Sequence, residues 1–199
     1  MHNEIEAKFL SVKHAEVRAN LKKVGARCKQ PMRLMRRAMF DYPDRRFREN
    51  MTLKPHLRVR DEGDKVTITY KEKNRTNYRS EIETTIGSFD AMLEILRKTG
   101  LEIYSVQESK RETWHSEDVE IVLDEWPWLD PYIEIEGPSE EAIRKIAEEL
   151  GFEWRQAYFG SVDTAYRKQY LGMGQEDSIG DIAEVRFDLP LPKYLKDRQ

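Results

Sequence analysis

Apolar and charged residues alternate along much of this chain, and the alternation returns three times to one tripeptide. Glu-Ile-Glu stands at residues 4–6, 81–83 and 134–136, each time inside a run whose period of two predicts a β-strand. Behind each run come a serine (Ser11, Ser88, Ser139), apolar residues at helical spacing, and a glycine (Gly25, Gly100, Gly151). A serine hydroxyl can accept from the free N–H groups at a helix start, and glycine tolerates the left-handed turn at its end. Helices are therefore predicted over about 12–24, 89–99 and 140–150, with those serines as N-caps. In the third, Ile143, Ile146, Ala147 and Leu150 form one apolar stripe. Further strands are predicted at 33–41, 56–61, 65–73, 103–114 and 119–124, separated by turn signals such as Glu62-Gly63 and Glu117-Asp118. About eight strands joined partly by tight turns call for antiparallel pairing. The expected fold is α+β: an eight-stranded antiparallel β-barrel, closed or nearly so, with helices packed on the outside. Residues 1–170 are expected to form this domain. Residues 171–199, where Gly, Asp and Gln give way to two prolines, are expected to be an extension, either an added strand or a loosely held segment.

The 199 residues, 39% hydrophobic and 36% charged, suffice for one respectable core and exclude disorder throughout. With 34 basic and 37 acidic side chains the net charge is −3, which gives no global field for nucleic acid or an anionic membrane. Any anion site must be a local cluster. The single Cys28 excludes an internal disulfide and a cysteine-pair zinc site, and fits a reducing cytoplasm. No apolar run approaches about 18 residues and the start lacks a hydrophobic signal core, so a soluble cytoplasmic protein is expected.

Charged residues on a strand normally face water, and a single such strand would call for nothing more. Here the inversion recurs on seven strands: Glu4, Glu6 and Lys8; Arg58 and Arg60; Thr69, Lys71 and Lys73; Arg79, Glu81 and Glu83; Ser109 and Arg111; Glu120 and Asp124; Glu134 and Glu136. If the intervening Ile, Val and Leu pack outward under the helices, the charged faces line a barrel interior wide enough for water and ligand. Buried charge is tolerated only when paired or coordinated. Two carboxylates about 4 Å apart repel by roughly 4 kcal/mol at an effective dielectric near 20. Oxygen donors without nearby His or Cys suit Mg²⁺ or Mn²⁺. The arginine forks and lysine point charges in turn suit the oxygens of a polyphosphate.

At this point the residues resemble a known family. Glu4-Ile-Glu6-Ala-Lys8 is similar to the E-x-E-x-K signature of the CYTH proteins, or triphosphate tunnel metalloenzymes. The likeness runs over roughly residues 3–170, through Leu57-Arg58-Val59-Arg60, Thr67 to Lys71, Arg79-Ser80-Glu81, Lys110-Arg111-Glu112, Asp124 and Tyr132 to Gly137. It implies a triphosphate tunnel holding Mg²⁺ or Mn²⁺. Carried over by position, Glu4, Glu6, Asp124, Glu134 and Glu136 resemble metal ligands, and Lys8, Arg58, Arg60, Lys71, Arg79 and Arg111 resemble the substrate-binding cations. Lys8 and Lys71 are the candidates to activate or orient a water. Glu81 and Glu83 either join the metal side or hold the arginines by ion pairing, and Tyr166 resembles part of a helix that closes a tunnel mouth. Two departures stand out. Ser109 occupies a position where many members carry a lysine, and Arg36-Arg37-Ala38-Met39-Phe40-Asp41 lacks the acidic and tyrosine positions common on the second strand of cyclases and thiamine triphosphatases.

Other features carry less chemistry. The four histidines have no metal-ligand spacing and read as surface or loop residues, and the absence of G-x-x-x-x-G-K excludes a P-loop. Trp126, Trp128, Tyr132 and Trp154 read as packing rather than a base-stacking platform. The arginines between Arg33 and Arg48 suggest a patch for RNA or polyphosphate, but the net acidic chain contains no RNA-binding motif. Three functions fit, in this order: a divalent-metal-dependent phosphohydrolase acting on an inorganic or organic triphosphate; a class IV adenylyl cyclase forming cyclic AMP and pyrophosphate from ATP; and a non-catalytic triphosphate- or polyphosphate-binding module. The expected partner is a small molecule containing a triphosphate, with no nucleic acid and no membrane. A homodimer is compatible with the reading.

Overall fold

Alternating side chains commit each strand to one apolar and one polar face, and the structure, a computed structural model, resolves that choice strand by strand. It describes residues 5–73 and 79–199, with Lys73 and Arg79 described by their backbone alone. In chain order the first elements are β1 (Ile5–Phe9), α1 (His14–Lys23), β2 (Arg27–Asp41), β3 (His56–Asp61), β4 (Val66–Lys73) and β5 (Arg79–Ile86). Then come α2 (Phe89–Lys98), β6 (Glu102–Ser116), β7 (Val119–Glu125), β8 (Tyr132–Gly137) and α3 (Glu140–Glu149). The remainder supplies α4 (Val162–Gln169), β9 (Glu184–Val185) and α5 (Lys193–Lys196). The sheet runs in the order β1-β8-β7-β6-β2-β3-β4-β5, with β9 added in parallel beside β6. The expected sheet of eight strands with a few helices is present, but hydrogen bonds among the described residues do not close it into a barrel.

The chain forms two compact units. The first comprises residues 1–33, 109–177 and 189–199. In it Ala7 and Phe9 of β1, Ile133 and Ile135 of β8, and Ile121 and Leu123 of β7 bury one face of the sheet against Val17 and Leu21 of α1 and Ile143, Ile146 and Ala147 of α3. The stripe expected on α3 is the stripe it buries. Residues 34–108 and 178–188 form the second unit. Here Ala38 and Phe40 of β2, Leu57 and Val59 of β3, and Ile68 of β4 pack with Phe89, Met92, Leu93 and Leu96 of α2. In both units the helices cover the apolar face, and the charged residues occupy the other.

Several local expectations are corrected. Ser88 and Ser139 accept from the N–H groups of Ala91 and Ala142 at 3.2 Å, as helix caps should. Ser11 does not cap. It has φ 54°, donates to Asp130 at 3.1 Å, and leaves the cap position to Lys13, whose side chain caps no backbone N–H. Gly25, Gly100 and Gly151 do adopt the left-handed conformation, with φ of 78°, 93° and 91°. β2 begins at Arg27 rather than residue 33; Pro31, which cannot donate to a ladder, obscures its start in the sequence. The tail takes the added-strand alternative: β9 pairs Val106 with Glu184 and Gln107 with Val185, and Met173, Ile179, Val185 and Leu195 are buried. His14 is neither a surface nor a loop residue. It is buried on α1, with Nε2 3.2 Å from the Tyr132 carbonyl and Nδ1 3.6 Å from Glu125.

Replacing Ser139 by Ala is expected to lower stability by about 1 kcal/mol through the lost cap. Ser11→Ala should cost clearly less, both being measured by urea unfolding. An equal loss at Ser11 would contradict the cap assignment.

Candidate functional site

Residues directly opposite one another in an antiparallel pair point to the same face, so the strand registers locate the charged side chains. In the first unit Glu6 pairs with Glu136, Glu136 with Glu120, and Glu120 with His115. One step along, Lys8 lies opposite Glu134, and beyond it Arg111 lies opposite Asp124. The side chains then link into a ladder. Lys8 Nζ is 2.9 Å from Glu6 and 3.1 Å from Glu134. Arg111 grips Asp124 with both arms of its fork, Nε to Oδ1 at 2.7 Å, and its Nη2 reaches Glu134 at 3.0 Å. Glu134 thus sits between two cations.

Electrostatics follow from that geometry. Burial opposes the charge on Lys8, yet the attraction and hydrogen bonds of Glu134 and Glu6 outweigh it and hold the ammonium above its ordinary value. Arg111 is likewise raised well above its ordinary value, against burial, by Asp124 and Glu134. Burial would push the Glu134 carboxyl up, but Arg111 and Lys8 together hold it below the usual range. Lys8 is therefore a charged hydrogen-bond donor at neutral pH. The other oxygen donors of this face, Glu6, Glu136 and Glu120, stand in one register row on neighbouring strands about 4.8 Å apart. Like charges placed directly opposite repel, and such a row of carboxylates suits a hard divalent cation, although Glu120 at its end also meets His115 Nε2 at 3.0 Å. No group of three or more His, Cys, Asp or Glu side chains is assembled at ligand distance among the described residues. The donor chemistry fits a hard divalent cation, with Asp124 and Glu134 held by Arg111 and Lys8.

The second unit has a basic face. Arg58 lies opposite Thr69, which lies opposite Glu83; Arg60 lies opposite Thr67; Lys71 lies opposite Glu81. Lys71 pairs with Glu81, Arg60 pairs with Glu62, and Thr69 donates to Glu83 at 2.6 Å. Arg58 is 3.9 Å from Glu83. The Nε–H groups of Arg58 and Arg60 are buried and have no hydrogen-bond partner among the described residues. Burial, followed by repulsion from Arg60, pushes the Arg58 guanidinium down to about 10 despite Glu81, Glu83 and Glu62. An anion would relieve both the unmade bonds and the repulsion.

The expected residues are distributed as follows. Glu6, Lys8, Arg111, Asp124, Glu134 and Glu136 share the face of the first unit, and Arg58, Arg60 and Lys71 share that of the second. Glu4 lies outside the described residues, and Arg79 is placed only by register, opposite Lys73. Ser109 is buried, whereas Lys110 turns towards Glu125 at 3.5 Å. Tyr166 is fully buried on α4 and donates to the Pro127 carbonyl at 2.7 Å. Trp126 is buried, and Trp128 donates to the Leu189 carbonyl at 2.9 Å, in keeping with packing. The arginine run does not form one patch, because Arg36 pairs with Asp61, Arg46 with Asp44 and Arg48 with Asp41. Two buried carboxylates escaped the sequence reading as such. Glu62, read as a turn residue, neutralises Arg60; Glu112, on the helix side, accepts from Arg18 at 2.8–3.1 Å and from the Trp114 indole at 2.6 Å. The period of two would have placed Glu62 on the face of Arg58 and Arg60 had β3 been extended by one residue.

A cavity of about 880 Å³ in the first unit is lined by Phe9, Val12, Val17, Phe152, Tyr158 and Lys168 among others, on the helix-covered side away from the charged ladder.

Comparison with known proteins gives a consistent result. The family model described as CYTH domain matches residues 2–167. A protein of Methanocaldococcus jannaschii named "Putative adenylate cyclase" is 31% identical over 137 residues, covering 66% of this chain and 76% of the relative. Among solved structures, one titled as a putative adenylate cyclase from Vibrio parahaemolyticus aligns with a TM-score of 0.69 at 14% identity, over 82% of this chain and 97% of that one. Another, from Hippeastrum, bears a title describing a putative adenylyl cyclase with a dominant triphosphatase activity. It aligns with a TM-score of 0.55 at 16% identity, over 84% of this chain and 96% of that one. At these identities both structures support the fold alone.

The ladder makes a pH-dependent prediction. Arg111→Met leaves Asp124 and Glu134 without their shared cation and should destabilise the protein by about 3–5 kcal/mol at pH 7. Because the folded-state value of Glu134 lies below its ordinary 4.5, its contribution is complete above that value and is lost as pH falls through the lower, folded value. The difference between variant and wild type should therefore shrink on going from pH 7 to pH 3 in urea unfolding. A pH-independent difference would contradict the ladder.

Proposed function

We propose that this chain, which belongs to the CYTH domain family, is a divalent-metal-dependent triphosphatase. The observation that carries the reading is the buried pair Arg58 and Arg60, whose Nε–H groups lack partners and whose mutual repulsion an anion would relieve. Arg58, Arg60 and Lys71 bind and orient phosphate oxygens, with Glu81, Glu83 and Glu62 keeping those cations in place. Glu6 and Glu136, together with Glu4, Asp124 and Glu134, are the residues that would hold Mg²⁺ or Mn²⁺. When bound, that ion supplies charge neutralisation at the phosphates and a more acidic water. Lys8, kept protonated by Glu134 and Glu6, orients an oxygen by donating to it rather than removing its proton. In hydrolysis the water oxygen bonds to the terminal phosphorus and the bridging P–O bond breaks, giving orthophosphate and a diphosphate product. Most of the acceleration comes from positioning and charge stabilisation.

A second reading is favoured by the name of the Methanocaldococcus relative: conversion of ATP to cyclic AMP and pyrophosphate by a class IV adenylyl cyclase. It uses the same charged residues and differs in which phosphorus is attacked.

Phosphorus NMR of the protein with Mg²⁺ or Mn²⁺, given inorganic triphosphate and ATP in separate tubes, tests the proposal. Orthophosphate is expected from inorganic triphosphate. Pyrophosphate with cyclic AMP from the ATP tube would replace the triphosphatase by the cyclase, and no turnover in either would remove both in favour of a binding module. The double variant Glu4→Gln, Glu6→Gln should be folded and inactive.

A further inference from the structure

We infer that the Thr67 hydroxyl is a substrate-binding group that donates, alongside Arg60 Nε–H, to one phosphate oxygen; this rests on the triphosphate reading above and extends it to β4. Thr67 lies directly opposite Arg60 of β3 on one side and Thr85 of β5 on the other, so the three side chains share one face. Its neighbours Val66 and Ile68 turn to the opposite face and pack with the core under α2. Thr67 is 1% exposed, and its Oγ1 is a buried atom with no hydrogen-bond partner among the described residues. Across the rung, Arg60 Nε–H is in the same condition, while another arm of that guanidinium is held by Glu62, which Lys65 also reaches at 3.8 Å. Side chains so opposed have Cβ atoms about 5 Å apart, yet these two groups make no bond to each other.

A buried hydroxyl and a buried N–H left unmatched are costly. One oxygen between them accepts from both, through two of its lone pairs. A water molecule would complete those bonds but leave the repulsion between Arg60 and Arg58, whereas an anionic oxygen answers both. Thr85, the next residue of the row, is exposed, so the row opens to solvent on the β5 side.

The other threonine of this face is an internal comparison. Thr69 is also buried and lies opposite Arg58, but its hydroxyl already donates to Glu83 at 2.6 Å. Thr67 has the same surroundings without the carboxylate.

Calorimetric titration of inorganic triphosphate into the full chain, with EDTA present so that no turnover occurs, tests the assignment together with urea unfolding of the unliganded variants. Thr67→Val, which keeps the shape and removes the hydroxyl, should weaken binding roughly 10-fold, the loss expected for one hydrogen bond to a charged group, and Thr67→Ser should recover most of it. Without ligand, Thr67→Val should be at least as stable as wild type because no bond is broken, whereas Thr69→Val, which leaves Glu83 without its donor, should be less stable. Affinity and stability thus move in opposite directions at Thr67, which a merely structural role would not produce. Wild-type affinity in Thr67→Val, or a loss that Thr67→Ser does not recover, overturns the inference if Arg58→Ala binds poorly. So does a Thr67→Val chain that unfolds as readily as Thr69→Val, since the hydroxyl would then have its partner inside the fold. If wild type shows no binding, or Arg58→Ala binds as well as wild type, the phosphate reading itself fails.

Discussion

Much of the charged face in the first unit depends on Glu134 being held between Lys8 and Arg111. A carboxylate on the polar face of a mostly covered sheet cannot remain ionised without cations, and the two that serve it come from β1 and β6, on either side of the β8–β7 pair. Those cations also fix their other partners: Lys8 draws in Glu6, and Arg111 holds Asp124 with both arms. The identity of each strand's inward residue is thereby coupled to its neighbours. The second unit solves the converse problem, with Glu62, Glu81 and Glu83 spreading negative charge among cations that would otherwise repel.

The two faces differ in how completely they are satisfied. The ladder of the first unit makes short contacts throughout, and its pKa directions all favour the charged forms. Arg58, by contrast, is pushed down by burial and by Arg60, and its nearest carboxylate is 3.9 Å away. Incomplete satisfaction of a buried cation is costly in an apo protein and useful in a binding site, because the ligand supplies the missing bonds.

Strands and helices were legible in the sequence because their signals are local: a period of two, a serine before Ala91 or Ala142, a glycine where φ must be positive. The polar faces were legible for the same reason, since alternation alone places Arg58 with Arg60 and Glu134 with Glu136. What alternation could not supply was pairing over distance. Glu62 carries a turn signal in the sequence, yet it pairs with Arg60, and His14 carries no burial signal, yet α1 packs it against the Tyr132 carbonyl. Ser11 carried the same signal as Ser88 and Ser139, but its contact with Asp130, more than a hundred positions away, occupies its hydroxyl instead. Pro31 concealed the start of β2 because a missing N–H is a local argument against a strand that tertiary packing overrides.

Alternation along β6 has a further consequence. Arg111 belongs to the charged face, while the next residue, Glu112, turns to the helix side and accepts the indole N–H of Trp114 at 2.6 Å. One peptide unit therefore separates the guanidinium of the ladder from a carboxylate that acts directly on a chromophore. Indole emission responds to the charge and hydrogen bonding at its nitrogen, so this strand carries a native optical probe whose dipole lies on the opposite side of the sheet from the ladder. It requires no label on the charged face and leaves every carboxylate there untouched.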